Sequence, residues 1–222
     1  MIVIIDYGMG NLGSIANMLK QIGAQAEVTN DPQKIESAER LILAGVGAFD
    51  QGMQRLNDLN LIPLMKRKVL EQKTPFIGIC LGMQLLSRGS EEGDLPGLGW
   101  LDAETLRFNF DSKPNGDCAT PPATRPPSPV ARLRVPHMGW NEIQIQKQHA
   151  LLNDLGEEPR FYFVHSYYVK CNDADAVLAC TDYGLPFHSI LGKGNILGTQ
   201  FHPEKSHRYG RKILENFVGW MP

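Results

Sequence analysis

Strand-like and helical segments alternate along the first 85 residues, and this alternation constrains the fold more than any other feature. Residues 1–5 (MIVII) form a continuous apolar run, and similar runs recur at residues 40–44 and 75–79. Such runs are typical of strands that are buried on both faces of a parallel sheet. Helical spacing of apolar residues lies between them, at residues 12–22 and 61–71. The chain is therefore predicted to be an α/β protein with a mostly parallel central sheet and helices on both faces.

The later segments have an antiparallel character. Residues 100–110 and 135–146 alternate between apolar and polar side chains, as strands with one solvated face do. Further strands are predicted at residues 160–169, 176–181, 187–191 and 195–200. A closing helix is predicted from an N-cap at Ser206 to about residue 218. Residues 111–129 are rich in Pro, Ser, Thr and Gly, and we interpret them as a loop inserted into a single domain of residues 1–222.

The charge balance excludes broad classes of partner. Lys and Arg total 22 and Asp and Glu total 24, so the formal net charge of -2 provides no basic surface for a nucleic-acid backbone. No apolar run approaches the ~18 residues of a membrane span, and the first strand has no signal-peptide pattern. We therefore predict a cytoplasmic protein without nucleic-acid or membrane partners.

The four cysteines, at positions 80, 118, 171 and 180, include no C-x-x-C pair. A secreted disulfide scaffold carries more cysteines in a shorter chain. Cys171 and Cys180 could approach each other across a hairpin, but we predict reduced thiols rather than this disulfide.

One pentapeptide, Gly78-Ile79-Cys80-Leu81-Gly82, lies between an apolar strand and a helical run at residues 81–86. It has the form of a nucleophile elbow with Cys in place of Ser. A sharp strand-to-helix turn strains the nucleophile, so small residues must flank it, and the helix N-terminus favours a thiolate. The alternative interpretation is a buried cysteine packed between two glycines.

The segment Phe201-His202-Pro203-Glu204 offers a base and an orienting carboxylate for that cysteine. It follows the strand at residues 195–200, which is expected to end at the same edge of the sheet as Cys80. Positions i and i+2 of an extended segment point the same way, and Pro203 stiffens the pair, so His202 and Glu204 are expected to project together. Taken alone, His-x-Glu is more commonly a surface ion pair. Combined with the elbow, it predicts a Cys-His-Glu triad.

The segment Gly45-Val46-Gly47 directly follows the strand at residues 40–44. Glycines there let backbone N–H groups turn toward a ligand, as an oxyanion hole requires, and the N–H of Leu81 is a further candidate donor. The alternative is a plain tight turn.

The motifs AGVGAF, GICLGMQLL and FHPEKS occur in this order, and with them the chain resembles the class I glutamine amidotransferases over nearly its whole length. The segments DYGMGN, PHMGWN and YFVHSY are further similar to the glutaminase subunits of imidazole glycerol phosphate synthases. This resemblance implies a flavodoxin-like fold with an added antiparallel portion and with no cofactor or metal. It also implies hydrolysis of glutamine, with the ammonia passed to a (β/α)₈-barrel cyclase in histidine biosynthesis.

The resemblance assigns roles to individual residues. Cys80 would attack the carboxamide of glutamine, His202 would protonate the departing ammonia and then activate water, and Glu204 would orient His202. The backbone groups expected to stabilise the oxyanion belong to Val46, Gly47 and Leu81. The residues expected to hold the polar ends of the substrate are Gln84, Glu92, Ser166 and Tyr167. The residues expected to dock on the cyclase, in a heterodimer, are Asn11, Pro136, Met138, Trp140, Tyr162 and Lys205.

Two departures from the family pattern stand out. Ala44 occupies a position where the family often has Pro, which bears on the rigidity of the oxyanion loop, and residues 111–129 exceed the usual family length. The resemblance further implies that the isolated chain is nearly inactive until it docks a liganded cyclase.

Other interpretations stay open. The chain is alternatively a paralogous subunit that supplies ammonia to another acceptor, such as a surface sugar, or a stand-alone γ-glutamyl hydrolase. The intact triad disfavours a non-catalytic regulatory module. For Met138 and Trp140, the alternative to a docking role is ordinary core packing.

Overall fold

The structure is a computed structural model that describes residues 1–110, Cys118 and residues 133–222. The strands in these residues are β1 (Ile2–Ile5), β2 (Ala26–Thr29), β3 (Arg40–Gly45), β4 (Phe76–Cys80), β5 (Ala103–Arg107), β6 (His137–Glu142), β7 (Gln144–Ile145), β8 (Arg160–His165), β9 (Tyr167–Cys171), β10 (Val177–Asp182), β11 (Pro186–Lys193) and β12 (Ile196–Thr199). The helices are α1 (Leu12–Gln21), α2 (Pro32–Ser37), α3 (Phe49–Asp58), α4 (Leu61–Lys66), α5 (Leu81–Gln84) and α6 (His207–Gly219).

Eight strands form the central sheet, in the order β2-β1-β3-β4-β12-β11-β10-β7. The first five in this order run parallel to one another, and the last three continue the sheet with antiparallel pairing. The parallel part has the flavodoxin-like order 2-1-3-4-5, with β12 as the fifth strand. The predicted α/β fold with an added antiparallel portion is confirmed.

Strand β1 shows why a continuous apolar run becomes a central strand. Val3 and Ile5 pack into the apolar core on one face of the sheet, and Ile2 and Ile4 pack into the core on the other face. Because successive side chains of a strand point to opposite faces, a strand that is covered on both sides needs an apolar residue at every position.

The topology places three sequence motifs at one edge of the sheet. Gly45 pairs with Cys80 at the carboxyl ends of β3 and β4, and Thr199 of β12 pairs with Ile79. Parallel strands of open α/β sheets carry ligand sites beyond their carboxyl ends. The segment at residues 45–47, which we call the glycine loop, therefore lies at the same edge of the sheet as the cysteine elbow and the His-Pro-Glu segment.

Two antiparallel ribbons, β5–β9 and β6–β8, lie beside this sheet. The prediction of one strand at residues 160–169 is wrong, because Ser166 separates β8 from β9 and the two strands join different ribbons. Burial alternates strictly along β8, whereas the consecutive residues Tyr168 and Val169 of β9 are both buried.

The helices differ from the predictions in two places and agree at residues 61–71. Helix α3 was not predicted, because its buried residues Phe49, Met53 and Leu56 are separated by polar residues and Gly52. Helix α4 continues as a π-helix over Arg67–Glu71, so the predicted segment at residues 61–71 is helical throughout. Helix α5 is a single turn rather than the expected run to residue 86. No helix of the described residues is long and apolar enough to cross a membrane.

The prediction of reduced thiols is wrong for two of the four cysteines. Cys118 and Cys180 form a disulfide, whereas Cys80 and Cys171 are free and buried. The two bonded residues are 62 positions apart in the sequence, so no local spacing pointed to the pair. Except for Cys118, the predicted loop at residues 111–129 lies outside the described residues.

The contact of the elbow with its neighbouring strand gives a test of the fold. A Cβ atom at Gly82 would lie 1.8 Å from the carbonyl oxygen of Leu43, so Gly82→Ala must displace α5 from β3. We expect this variant to lose about 2 kcal/mol or more of unfolding free energy, measured by urea denaturation. Gly89→Ala is the matched control, because a Cβ at Gly89 meets no atom within 4 Å. A Gly82→Ala protein as stable as the wild type would contradict this account.

Candidate active site

Cys80 lies at the sharp turn between β4 and α5. Its backbone has φ 53° and ψ -108°, a conformation that is strained for any residue with a Cβ atom. A Cβ at Gly78 would approach the carbonyl oxygen of Gly82 to 2.6 Å, so the two glycines permit the turn. The predicted elbow geometry is confirmed, although the helix that follows has only four residues and a correspondingly small dipole.

His202 and Glu204 follow β12, and their side chains are almost completely buried. Nδ1 of His202 donates a hydrogen bond to Oε1 of Glu204 across 2.8 Å, which fixes the tautomer and orientation of the ring. The N–H of His202 donates to the carbonyl oxygen of Tyr162 at 3.0 Å, and the hydroxyl of Ser206 donates to the carbonyl oxygen of His202 at 2.6 Å. Strand β8 and the start of α6 thus hold the imidazole in place.

The imidazole of His202 also interacts with the Cys80 sulfur. Burial lowers the pKa of His202, but Cys80 and Glu204 on either side of the ring outweigh burial and raise the pKa to about 10. Nε2 of His202 has no partner of ordinary hydrogen-bond geometry among the described residues, and the Cys80 sulfur is near enough to act on the ring. The imidazole of His202 therefore lies between the sulfur of Cys80 and the carboxylate of Glu204, as a catalytic triad requires.

The glycine loop that follows β3 packs against the loop that follows β1. A Cβ at Gly10 would lie 3.0 Å from Cα of Gly45, and the side chain of Met9 covers Gly47. Gly47 has φ 127°, a conformation that favours glycine, and Val46 is exposed. Because Gly45 pairs with Cys80, this loop and Leu81 lie beside the candidate nucleophile.

The four candidate substrate residues fall into two groups. Nε2 of Gln84 donates to the carbonyl oxygen of Tyr167 at 2.9 Å, and Ser166 directly precedes Tyr167, so these three residues lie together. Glu92 is placed differently, because its Oε2 accepts the N–H of Phe49 at 2.8 Å. Glu92 therefore binds the start of α3, which Ala48 separates from the glycine loop.

Four of the six candidate docking residues form a surface on and beside the β6–β8 ribbon. Met138 and Trp140 are 62% and 47% exposed, which excludes core packing for both. Trp140 pairs with Tyr162 across the ribbon, and Nζ of Lys205 lies 5.7 Å from the centre of the Tyr162 ring. We call these four residues the aromatic ribbon face.

The other two candidate docking residues, Pro136 and Asn11, precede β6 and α1, and both are exposed. Asn11 lines a cavity of about 10 Å³ that also borders Val46, His202 and Glu204. A cavity of this volume holds about one water-sized molecule.

Three buried polar residues beside the triad were not assigned to the site from the sequence. Nε2 of Gln200 lies 3.9 Å from Sγ of Cys80. The hydroxyl of Tyr7 makes no hydrogen bond to any described atom, and burial together with Cys80 raises its pKa. Ser206 was predicted as a helix cap, but its hydroxyl instead bridges His202 and the N–H of Tyr162. In the sequence, only their positions could have pointed to these residues, since Tyr7 lies in the motif DYGMGN and Gln200 directly precedes the motif FHPEKS.

One group of side chains has the spacing of metal ligands. The ligand atoms of Cys118, Cys180 and His188 lie within 4.8 Å of one another. The two sulfurs are joined in the disulfide, and a disulfide does not supply the thiolates that bind a metal.

The pairing of His202 with Glu204 predicts a pH dependence of stability. Folded His202 keeps its proton to about pH 10, whereas the unfolded value is 6.5. The stabilisation is therefore complete below pH 6.5 and is lost as the pH rises toward 10. Glu204→Gln is expected to lower the pKa of His202 and to flatten this decline.

Urea unfolding between pH 6 and 10, together with the NMR titration of His202, measures the effect of Glu204→Gln. Glu215→Gln, which changes a carboxylate on the surface of α6, is the control. An unchanged His202 titration in Glu204→Gln would show that the carboxylate does not hold the imidazole proton.

Known proteins resemble this chain in sequence and in fold. The family model of class I glutamine amidotransferases matches residues 3–220. A protein of Methanococcus maripaludis named imidazole glycerol phosphate synthase subunit HisH 2 is 49% identical, with 98% of each chain covered. A protein of the same name from Pseudomonas aeruginosa is 44% identical, again with 98% of each chain covered.

The similarity extends to solved structures at low sequence identity. The structure of PurLQS from Thermotoga maritima has a TM-score of 0.66, covering 98% of this chain and 97% of that chain, at 16% identity, which shows a shared fold. Family model and sequence relatives agree over nearly the whole length. The chain therefore belongs to the class I glutamine amidotransferases and, within them, to the HisH subunits of imidazole glycerol phosphate synthase.

Proposed function

We propose that this chain, acting as a single glutamine amidotransferase domain in the cytoplasm, hydrolyses glutamine and delivers the ammonia to a barrel-shaped cyclase. The cyclase then forms imidazole glycerol phosphate and aminoimidazole carboxamide ribotide in histidine biosynthesis. The observation that carries this proposal is the convergence of Cys80, His202 and Glu204 at one edge of the sheet, in a chain whose relatives are HisH subunits.

The first half of the reaction forms a thioester. The Cys80 sulfur attacks the side-chain carboxamide carbon of glutamine while its proton is held on Nε2 of His202. The N–H groups of Val46, Gly47 and Leu81 are the donors for the oxyanion of the tetrahedral intermediate. His202 then protonates the departing nitrogen, ammonia leaves, and a γ-glutamyl thioester on Cys80 remains.

The second half releases glutamate. Neutral His202 takes a proton from a water molecule, whose oxygen attacks the thioester carbon. The second tetrahedral intermediate collapses, the carbon–sulfur bond breaks, and the proton on His202 returns to the sulfur. Glu204 stabilises the imidazolium in both halves through its 2.8 Å hydrogen bond to Nδ1.

The aromatic ribbon face supports a cyclase as the partner in a heterodimer. Exposed Trp140 and Met138 are residue types that anchor protein interfaces, and Lys205 directly follows Glu204 of the triad. Ammonia is close to water in size, so it fits the cavity that His202 and Glu204 share with Asn11, which is itself a candidate docking residue.

A second candidate function has one observation in its favour. The relatives from Methanococcus maripaludis and Pseudomonas aeruginosa are both named with the number 2, which fits a paralogous subunit with a different ammonia acceptor, such as a surface sugar. Complementation of a histidine auxotroph that lacks its own glutaminase subunit separates the two: growth supports the cyclase of histidine biosynthesis, and failure by a well-expressed protein favours another acceptor.

The nucleophile assignment predicts the behaviour of Cys80→Ala. Without the sulfur no thioester forms, so glutaminase turnover in the presence of the cyclase is expected to fall by at least about 10³-fold, while cyclase binding persists. Ammonia release and calorimetric titration with the cyclase measure the two properties. Cys171→Ala, which removes the other free cysteine, is the control and is expected to retain turnover. Turnover above a few per cent in Cys80→Ala would refute the assignment.

The docking assignment predicts the behaviour of Trp140→Ala. Truncation of a central aromatic anchor is expected to weaken cyclase affinity by about 2 kcal/mol, roughly 30-fold, in the same titration. Ile145→Ala is the control, because Ile145 is similarly exposed but lies on β7, at the far edge of the central sheet. Equal affinities of Trp140→Ala and wild type would place the cyclase elsewhere on the molecule.

A further inference from the structure

A series of buried hydrogen bonds connects the candidate substrate residues Gln84 and Tyr167 to the Cys80 sulfur. Nε2 of Gln200 lies 3.9 Å from Sγ, and Oε1 of Gln200 lies 3.4 Å from Nε2 of Gln84. Gln84 in turn donates to the carbonyl oxygen of Tyr167 at 2.9 Å. Gln200 is completely buried, and Gln84 is 5% exposed.

The direction of each hydrogen bond in this series follows from one atom, the carbonyl oxygen of Tyr167. The carbonyl oxygen of Tyr167 can only accept, so the NH₂ group of Gln84 must face it. That NH₂ group also faces Gln200, whose carbonyl oxygen must therefore point toward Gln84. The NH₂ group of Gln200 is left facing the sulfur of Cys80, as a donor rather than an acceptor.

A pair of histidines fixes the same carbonyl from its other side. Nδ1 of His165 lies 2.8 Å from the carbonyl oxygen of Tyr167 and must donate to it. Nε2 of His165 then accepts from Nδ1 of His137 at 3.1 Å, and Nε2 of His137 faces Nδ2 of Asn141 at 3.3 Å. Burial lowers the pKa of His165 to about 3 and that of His137 to about 4. Both rings therefore stay neutral and keep the same nitrogen atoms as donors and acceptors.

We propose that Gln200 is a positioning residue of the glutaminase reaction, whose carboxamide donates a hydrogen bond to the Cys80 sulfur in an orientation fixed by Gln84 and Tyr167. Hydrogen bonds to charged acceptors are about twice as strong as those between neutral groups. The donor therefore stabilises the sulfur most when the thiol proton has moved to His202. It also holds the sulfur against rotation about the Cα–Cβ bond of Cys80. This inference rests on the proposed function, since it concerns the same nucleophile.

Gln200→Met tests the inference, because methionine keeps the length and unbranched shape of glutamine but has no donor. The rate of Cys80 alkylation by iodoacetamide, followed by mass spectrometry across pH 6–10, is expected to fall about tenfold at pH 7, with its pH profile displaced upward. The kcat of the complex with the cyclase is expected to fall by about tenfold or more, while KM changes less than about threefold. A merely structural residue would not displace the alkylation profile.

Thr199→Val is the matched control. Thr199 is the buried neighbour of Gln200 at the end of β12, and its hydroxyl bonds to the carbonyl oxygen of Phe201 rather than to the site. This variant is expected to alkylate at the wild-type rate. Wild-type alkylation by a folded Gln200→Met protein would overturn the inference. If Cys80→Ala is inactive in that case, the proposed function stands. Turnover by Cys80→Ala would overturn both.

A second measurement needs no substitution at Gln200. In the wild-type chain labelled with ¹⁵N-glutamine, the side-chain NH₂ signals of Gln200 are assigned and followed as methyl methanethiosulfonate caps Cys80 with a methylthio group. Conversion of the thiolate acceptor into a neutral disulfide sulfur is expected to move the Gln200 signals, whereas those of Gln144, on the distant β7, stay in place. Stationary Gln200 signals would overturn the inference.

Discussion

The close packing of the elbow against β3 is the constraint on which the rest of the site depends. Gly82 lies against the carbonyl oxygen of Leu43 with no room for a Cβ atom, and Gly78 lies against the carbonyl oxygen of Gly82, where a Cβ atom would also be too close. This contact forces the chain to turn within one residue. The backbone strain is therefore located at Cys80, whose φ is positive. The sulfur then stands at the sheet edge where β3 and β12 also end, within the reach of the glycine loop and of His202.

The sequence predicted the parts of the site that depend on local chemistry. Cys80 is recognisable because an elbow needs glycines on both sides, and His202 with Glu204 because alternate positions share a direction. The remainder depends on long-range geometry. Gln200, which follows β12 of the central sheet, is oriented through Gln84 by the carbonyl of Tyr167 in the β5–β9 ribbon, and Cys180 pairs with a residue 62 positions away. The strand break at Ser166 likewise follows from which ribbon each half joins.

Electrostatics divides the histidines near the site into two kinds. His202 lies between a thiol and a carboxylate, and these groups outweigh burial and keep it protonated to high pH. His137 and His165 contact each other, a backbone carbonyl and an amide, so burial dominates and both are neutral. In the proposed reaction the first kind exchanges protons, and the second kind keeps a fixed arrangement of donors. The histidines differ in this way because only His202 has anionic neighbours.

Tyr162 contacts the candidate active site through its backbone and the aromatic ribbon face through its side chain. Its backbone binds the N–H of His202 and the hydroxyl of Ser206, while its ring lies between Trp140 and Lys205 on the aromatic ribbon face. Backbone bonds tolerate exchange of the side chain, so outward-facing residues of this ribbon can diversify without moving the imidazole. Duplicated genes of this type could therefore evolve new partner specificity while inheriting an unaltered ammonia-producing machinery.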